Sequence, residues 1–176
     1  MKIGVFCSAN NNIEKLYFDK TEEFGQWMGE NGHTLVFGGC NVGLMDCVAK
    51  SVKSAGGRII GVVPTLVEKN GKRSDILDVE INTENLSDRK DLLLIQSDII
   101  VALPGGIGTL DEIFTVAASH TIGYHNKKVI LYNIDHFYDT LIALLDDMTA
   151  RNMIRGNIND YILCANTFEE LIALLK

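Results

Sequence analysis

The sequence predicts a doubly wound α/β fold on a mostly parallel sheet of about seven strands, a Rossmann-like three-layer sandwich, and three observations carry that prediction. Short β-type runs alternate along the chain with helix-length amphipathic segments. Several of these runs are continuously apolar, as expected of parallel strands covered by helices on both faces. The segments between them have readable helix ends.

Taken in order, the expected strands are Ile3 to Cys7, Leu35 to Phe37, Ile59 to Val63, Val79 to Ile81, Ile99 to Leu103, Val129 to Tyr132 and Ile162 to Cys164. Between the first two, Ile13, Leu16, Phe24, Trp27 and Met28 follow helical spacing up to Asn31-Gly32, a stop signal. A helix from about Leu44 to Ala55 ends in the same way at Gly56-Gly57. Residues from Pro64 to Asp78, with Gly71 and mixed charges, show no clear period and are expected to form a loop, a candidate cover for a ligand. A helix of about Glu84 to Gln96 leads into the strand at Ile99. Thr167-Phe168-Glu169-Glu170 reads as a capping box opening a last helix, Leu171 to Leu175.

Composition bounds the function. The 176 residues fit one α/β domain, 1–176, with 47% apolar and 22% charged residues. A formal net charge of −7, without a run of basic residues, argues against a nucleic-acid polymer or an anionic membrane as partner. The opening Met1 to Phe6 reaches polar Ser8 and Asn10 too soon for a signal-peptide core, so a cytoplasmic chain is expected. Cys7, Cys40, Cys47 and Cys164 lie far apart without a C-x-x-C, and His33, His120, His125 and His136 form no metal-ligand pair. Reduced thiols and no metal are the expectation.

In an open parallel sheet, ligands bind outside the carboxyl ends of the strands, so the loops that follow strands carry the candidates. Three stand out: Ser8 to Asn12, Gly38 to Met45 with Gly39 inside it, and Pro104 to Glu112. In the third, Gly105, Gly106 and Gly108 permit positive φ and remove Cβ atoms around Ile107, while Thr109 is placed to cap the next helix. Free N–H groups and the helix dipole there would receive a phosphate. The alternative is a tight turn with no ligand. The dinucleotide fingerprint is missing from the first loop, and the P-loop lysine frame is missing from the third, which leaves a monophosphate as the simplest anion.

Glu112 has two readings. With Thr109 it spells T-x-x-E, a capping box needing no function. If the loop binds an anion, Asp111 or Glu112 must turn toward the sugar, where a carboxylate can stabilise an oxocarbenium-like transition state. Arg89 and Lys90, early in their helix, belong at the same sheet edge. They are either phosphate-side cations or a solvated pair held by Asp88 and Asp91.

Pro104-Gly105-Gly106-Ile107-Gly108-Thr109-Leu110-Asp111-Glu112 resembles the PGGxGTxxE signature of the Lonely Guy family, the cytokinin riboside 5′-monophosphate phosphoribohydrolases. Arg89-Lys90 resembles that family's RK pair, and Val5 to Ser8 and Gly38-Gly39…Gly43-Leu44-Met45 are similar as well. The resemblance implies hydrolysis of the N-glycosidic bond of AMP-like nucleoside 5′-monophosphates, without metal or organic cofactor, by a homodimer. It makes Arg89 and Glu112 the catalytic pair. Ser8, Gly39, Lys90, Pro104, Gly105, Gly106, Ile107, Gly108, Thr109 and Asp111 become the substrate-binding set. Cys40 and Asp46 stand where the family has glycines, Ala118-Ser119 where it has Thr-Trp, and Leu86 where it has methionine. These departures are expected to bear on the base rather than on the phosphate.

Overall fold

The computed structural model describes residues 1–65 and 70–176. All seven expected strands form: β1 (Lys2–Phe6), β2 (Thr34–Phe37), β3 (Arg58–Pro64), β4 (Val79–Thr83), β5 (Ile99–Ala102), β6 (Val129–Tyr132) and β7 (Ile162–Ala165). They lie in the order β4-β3-β2-β1-β5-β6-β7, and every pairing is parallel. Six α-helices are present among the described residues: α1 (Lys15–Glu30), α2 (Gly43–Ser54), α3 (Leu86–Gln96), α4 (Ile107–Thr121), α5 (Asp139–Ala150) and α6 (Phe168–Leu174).

The continuously apolar runs follow from the two cores. Along β5 and its exit, Val101 and Leu103 pack into one cluster with Phe24 and Met28 of α1, Val48 of α2 and Leu171 of α6. Ile100 and Ala102 point the other way, toward Leu93 of α3, Ile113 and Val116 of α4 and Leu145 of α5. With alternate side chains buried on opposite faces, no position on a central strand is left for a polar residue. Helices α1 and α2 approach closely enough that a Cβ on Gly25 would lie 2.6 Å from Ser51 Cβ, and one on Gly29 2.5 Å from Ala55 Cβ.

The topology positions the site. The chain leaves β1 for α1 on one face, and leaves the adjacent β5 for α4 on the other. Connections diverge there, which opens a crevice at the carboxyl edge. The two strand exits are held together: Ser8 N–H donates to Pro104 O at 3.1 Å, and the buried Tyr138 hydroxyl donates to Leu103 O at 2.6 Å.

The loop expected over Pro64 to Asp78 is partly different. Pro64 belongs to β3, residues 66–69 lie outside the described residues, and 71–74 are tied to the loop after β2. Asn41 N–H donates to Lys72 O and Ser74 N–H to Gly39 O, each at 2.9 Å, around a Cys40–Arg73 bridge. At α6, Thr167 Oγ1 accepts from Glu170 N–H at 3.1 Å as expected of a capping box. The Glu170 carboxylate reaches one residue further back, to Asn166 N–H at 2.7 Å.

Candidate active site

A cavity of about 300 Å³ lies at the crevice between the exits of β1 and β5, at the lower end of the range for small-molecule sites. Its floor is the start of α4. Gly106 is the N-cap, in extended backbone and with no side-chain cap, and Leu110 N–H makes the helix's bond to Gly106 O at 3.1 Å. The amides of the first turn therefore have no intrahelical acceptor and open toward the cavity.

Two expectations about this loop are corrected. Gly105, Gly106 and Gly108 are not among the positive-φ residues; what the loop needs from them is space. A Cβ on Gly105 would collide with Thr109 Oγ1 and lie 2.7 Å from Thr109 Cβ. A Cβ on Gly106 or Gly108 would meet nothing within 4 Å, so these two glycines keep bare backbone facing the cavity. Thr109 does not cap the helix either. It is the third helical residue, buried, with its side chain against Gly105 and the cavity.

Glu112 is thereby freed from the capping reading, because the residue three before it is not an N-cap. It sits in the second turn of α4 with its side chain 7% exposed, 3.4 Å from Arg89 Nη1. Burial pushes its carboxyl up to about 7, with Arg89 and Lys90 pulling down and Asp111 adding to the rise. Arg89 is itself 13% exposed, and its Nε–H is buried with no hydrogen-bond partner among the described residues. An unmet buried donor costs about 1–3 kcal/mol, which an acceptor on a ligand would relieve.

The pair Arg89-Lys90 is not the solvated pair held by its helix neighbours. The Asp88 carboxylate is engaged by the N-cap residue, accepting from Asn85 Nδ2 at 2.9 Å while Asp88 N–H donates to Asn85 Oδ1 at 2.9 Å. Lys90 Nζ instead donates to both oxygens of Asp111 at 3.0 Å. Two consecutive residues of α3 thus reach two consecutive residues of α4, a buried rung 89–112 and a more exposed rung 90–111. Gly38, at the exit of β2, makes the inner rung possible, since a Cβ there would collide with Arg89 Nη2.

Of the candidate residues, the cavity brings together Ser8, Arg89, Lys90, Gly106, Gly108, Thr109, Asp111 and Glu112. Four others do not line it. Gly39, at φ 71°, turns against the Val63 side chain. Pro104 is buried and Gly105 faces Thr109, while Ile107 is 84% exposed. Cys7, Ala9, Asn10, Met45 and Leu86 also line the cavity; the sequence reading places Ala9, Asn10 and Met45 in candidate loops and Leu86 among the family departures, without assigning any of the five to the site. The signal was present, since Cys7 to Asn10 follow a strand end and Met45 follows a glycine loop. Burial raises the Cys7 thiol well above its usual range, with Glu112 adding to the effect, so it lines the cavity uncharged.

The departures from the family pattern also sort by place. Leu86 lines the cavity. Asp46 pairs with Lys50 at 2.7 Å, Cys40 is buried beside Arg73, and Ser119 Oγ donates to Thr115 O at 2.7 Å. Ala118 borders a different, apolar groove. His120 is held at the far end of α4, its Nδ1 3.0 Å from Lys127 O and its ring against Tyr161.

Comparison with known proteins gives the family and the fold. The chain matches the family described as "Possible lysine decarboxylase" over residues 45–175. It is 35% identical to a "Probable cytokinin riboside 5'-monophosphate phosphoribohydrolase" of Oryza sativa subsp. japonica, over 99% of this chain and 72% of the relative. It is 31% identical to a cytokinin riboside 5'-monophosphate phosphoribohydrolase of Arabidopsis thaliana, over 99% and 77%. Among solved structures, the molybdenum cofactor binding protein of Rippkaea orientalis superimposes with a TM-score of 0.75 at 26% identity, over 99% of this chain and 94% of that one. The Moco carrier protein of Chlamydomonas reinhardtii shares the fold at 0.73 and 24% identity, over 99% and 94%.

Proposed function

The chain belongs to the Lonely Guy family, and we propose that it hydrolyses the N-glycosidic bond of AMP-like or cytokinin nucleoside 5′-monophosphates, releasing free base and ribose 5-phosphate. One observation carries this reading. A buried carboxylate, Glu112, faces Arg89 in a cavity whose floor is a bare helix N-terminus.

In this reading the 5′-phosphate lies on the first-turn amides of α4 and the Thr109 hydroxyl, favoured by the helix dipole. Lys90 adds a positive charge whose position Asp111 sets. The sugar then lies over Glu112. As the bond from C1′ to the base nitrogen breaks, its electron pair leaves with the base and positive charge grows on the ribose ring. The Glu112 carboxylate stabilises that charge and accepts a proton from the water that attacks C1′. Arg89, permanently protonated, binds ribose or base oxygen and nitrogen acceptors through the N–H that has no partner. The departing base takes up one proton, so water is divided between the two products.

A decarboxylase reading requires a lysine free to form an imine. Lys90 is the cavity's lysine, and both oxygens of Asp111 hold it. The residues do not fit that chemistry.

The test is incubation with a panel of nucleoside 5′-monophosphates, reading free base by chromatography. Release of base from at least one, abolished in Glu112→Gln with binding retained, is the expected result. Tight binding with no release over hours would instead make the protein a nucleotide carrier. The same reading includes a homodimer, which light scattering measures directly.

A further inference from the structure

We propose that Asn10 reads the base of the bound nucleotide, presenting to it the NH₂ donor of its side-chain amide. This rests on the nucleotide reading of the cavity but not on its hydrolysis.

The two ends of the cavity are distinguishable from the sheet order, β2-β1-β5. Ser8, at the exit of β1, is bound to Pro104 on the β5 side, where the first turn of α4 offers its amides. Ser8 is also tied to the β2 side, its carbonyl accepting from Leu44 N–H at 2.9 Å, and the loop continues along that side. There Asn10 packs on Gly43, whose φ of 61° and missing Cβ allow the approach; a Cβ would lie 2.5 Å from Asn10 N. Gly43 N–H in turn donates to Asn11 Oδ1 at 2.8 Å, which locks the loop to the start of α2. A phosphate on the α4 side thus leaves the other end of the ligand beside Asn10 and Met45, with Leu86 as a further apolar wall. An aromatic base suits those walls, and Asn10 is the amide among them.

The direction of that amide follows from its own loop. Asn12 N–H donates to Asn10 Oδ1 at 2.9 Å, and Asn10 N–H donates to Ser8 Oγ at 3.1 Å. A backbone N–H can be met only by the oxygen of the side chain, which settles which end is which. With Oδ1 engaged by Asn12, the Asn10 NH₂ group is the end of the amide that makes no bond within this loop. It selects bases that offer a ring nitrogen or carbonyl acceptor there and rejects those that offer a donor.

Asn10→Asp tests this, because aspartate keeps the same turn with Asn12 N–H while replacing the NH₂ donor by an acceptor. Affinities are measured by calorimetry for AMP, IMP, GMP, CMP, UMP and ribose 5-phosphate, in a Glu112→Gln background so that ligand is not consumed. Ribose 5-phosphate lacks the base and reports the general effect of the added charge. The expected result is that the best-bound nucleotide loses about 10-fold or more relative to ribose 5-phosphate, and that the order of the nucleotides changes. Equal losses for all ligands, an unchanged order, or nucleotides that bind no better than ribose 5-phosphate would overturn the proposal. Failure of the hydrolase reading would appear elsewhere, as wild-type protein that binds nucleotides and releases no base.

Discussion

At Glu112, burial and ion pairing pull in opposite directions, and burial wins. The carboxyl titrates near 4.5 when unfolded and near 7 when folded, so between those values the folded state holds a proton that the unfolded state has lost. The associated stabilisation is complete below the lower value and is lost as pH rises through the upper one, about 3 kcal/mol in all. Thermal melts of wild type and Glu112→Gln across pH 4 to 8 test this. The difference between them should shift by several degrees against the wild type as pH rises; a constant difference would show that Glu112 is not buried as charged. If the carboxylate is the working form, kcat/KM should rise with pH and level off above about 7. The sequence put Glu112 beside a candidate anion loop but not in one of two roles, because T-x-x-E has one spelling for a cap and for a pocket carboxylate. The position of the N-cap decided between them, and that position depends on the backbone of Gly106.

At the scale of elements, the site is an agreement between the exit of β2, the start of α3 and the start of α4. Gly38 permits that agreement by leaving room for the Arg89 guanidinium. Gly38→Ala should therefore change stability little, since the displaced atoms end a flexible side chain, yet lower kcat/KM by roughly 10- to 100-fold by disturbing the Arg89–Glu112 pair. A loss of Tm of many degrees with activity intact would refute that division. Helix ends and strand runs were legible because caps, glycines and apolar periodicity are local signals. The rungs 89–112 and 90–111 were not, since each joins residues more than twenty apart whose only shared property is where two helices begin. Proximity in sequence pointed instead to Asp88 and Asp91, but at one or two residues' separation along a helix their side chains do not face Arg89 and Lys90.

For the whole molecule, the cavity draws its walls from the loop after β1 and from α2, α3 and α4, so ligand binding draws on packing on both faces of the sheet. Ribose 5-phosphate at about one hundred times its Kd should stabilise the fold by about 2.7 kcal/mol and raise Tm by roughly 5–10 °C. The rise should shrink in Lys90→Ala; an unchanged Tm at saturation would argue against the phosphate cradle. Alternation of strands and helices, continuous apolar runs and a glycine loop after a strand determined the fold class, the sheet edge and most of the candidate anion end, because each is written in neighbouring residues. Tertiary structure alone decided that Gly39 and Ile107 face away and that Cys40, Asp46, Ala118 and Ser119 lie off the cavity. It also decided that Asn10, Met45 and Leu86 form its other end. Those outcomes depend on which loops a seven-stranded sheet brings to one switch point, and on how each backbone turns there, which no local pattern encodes.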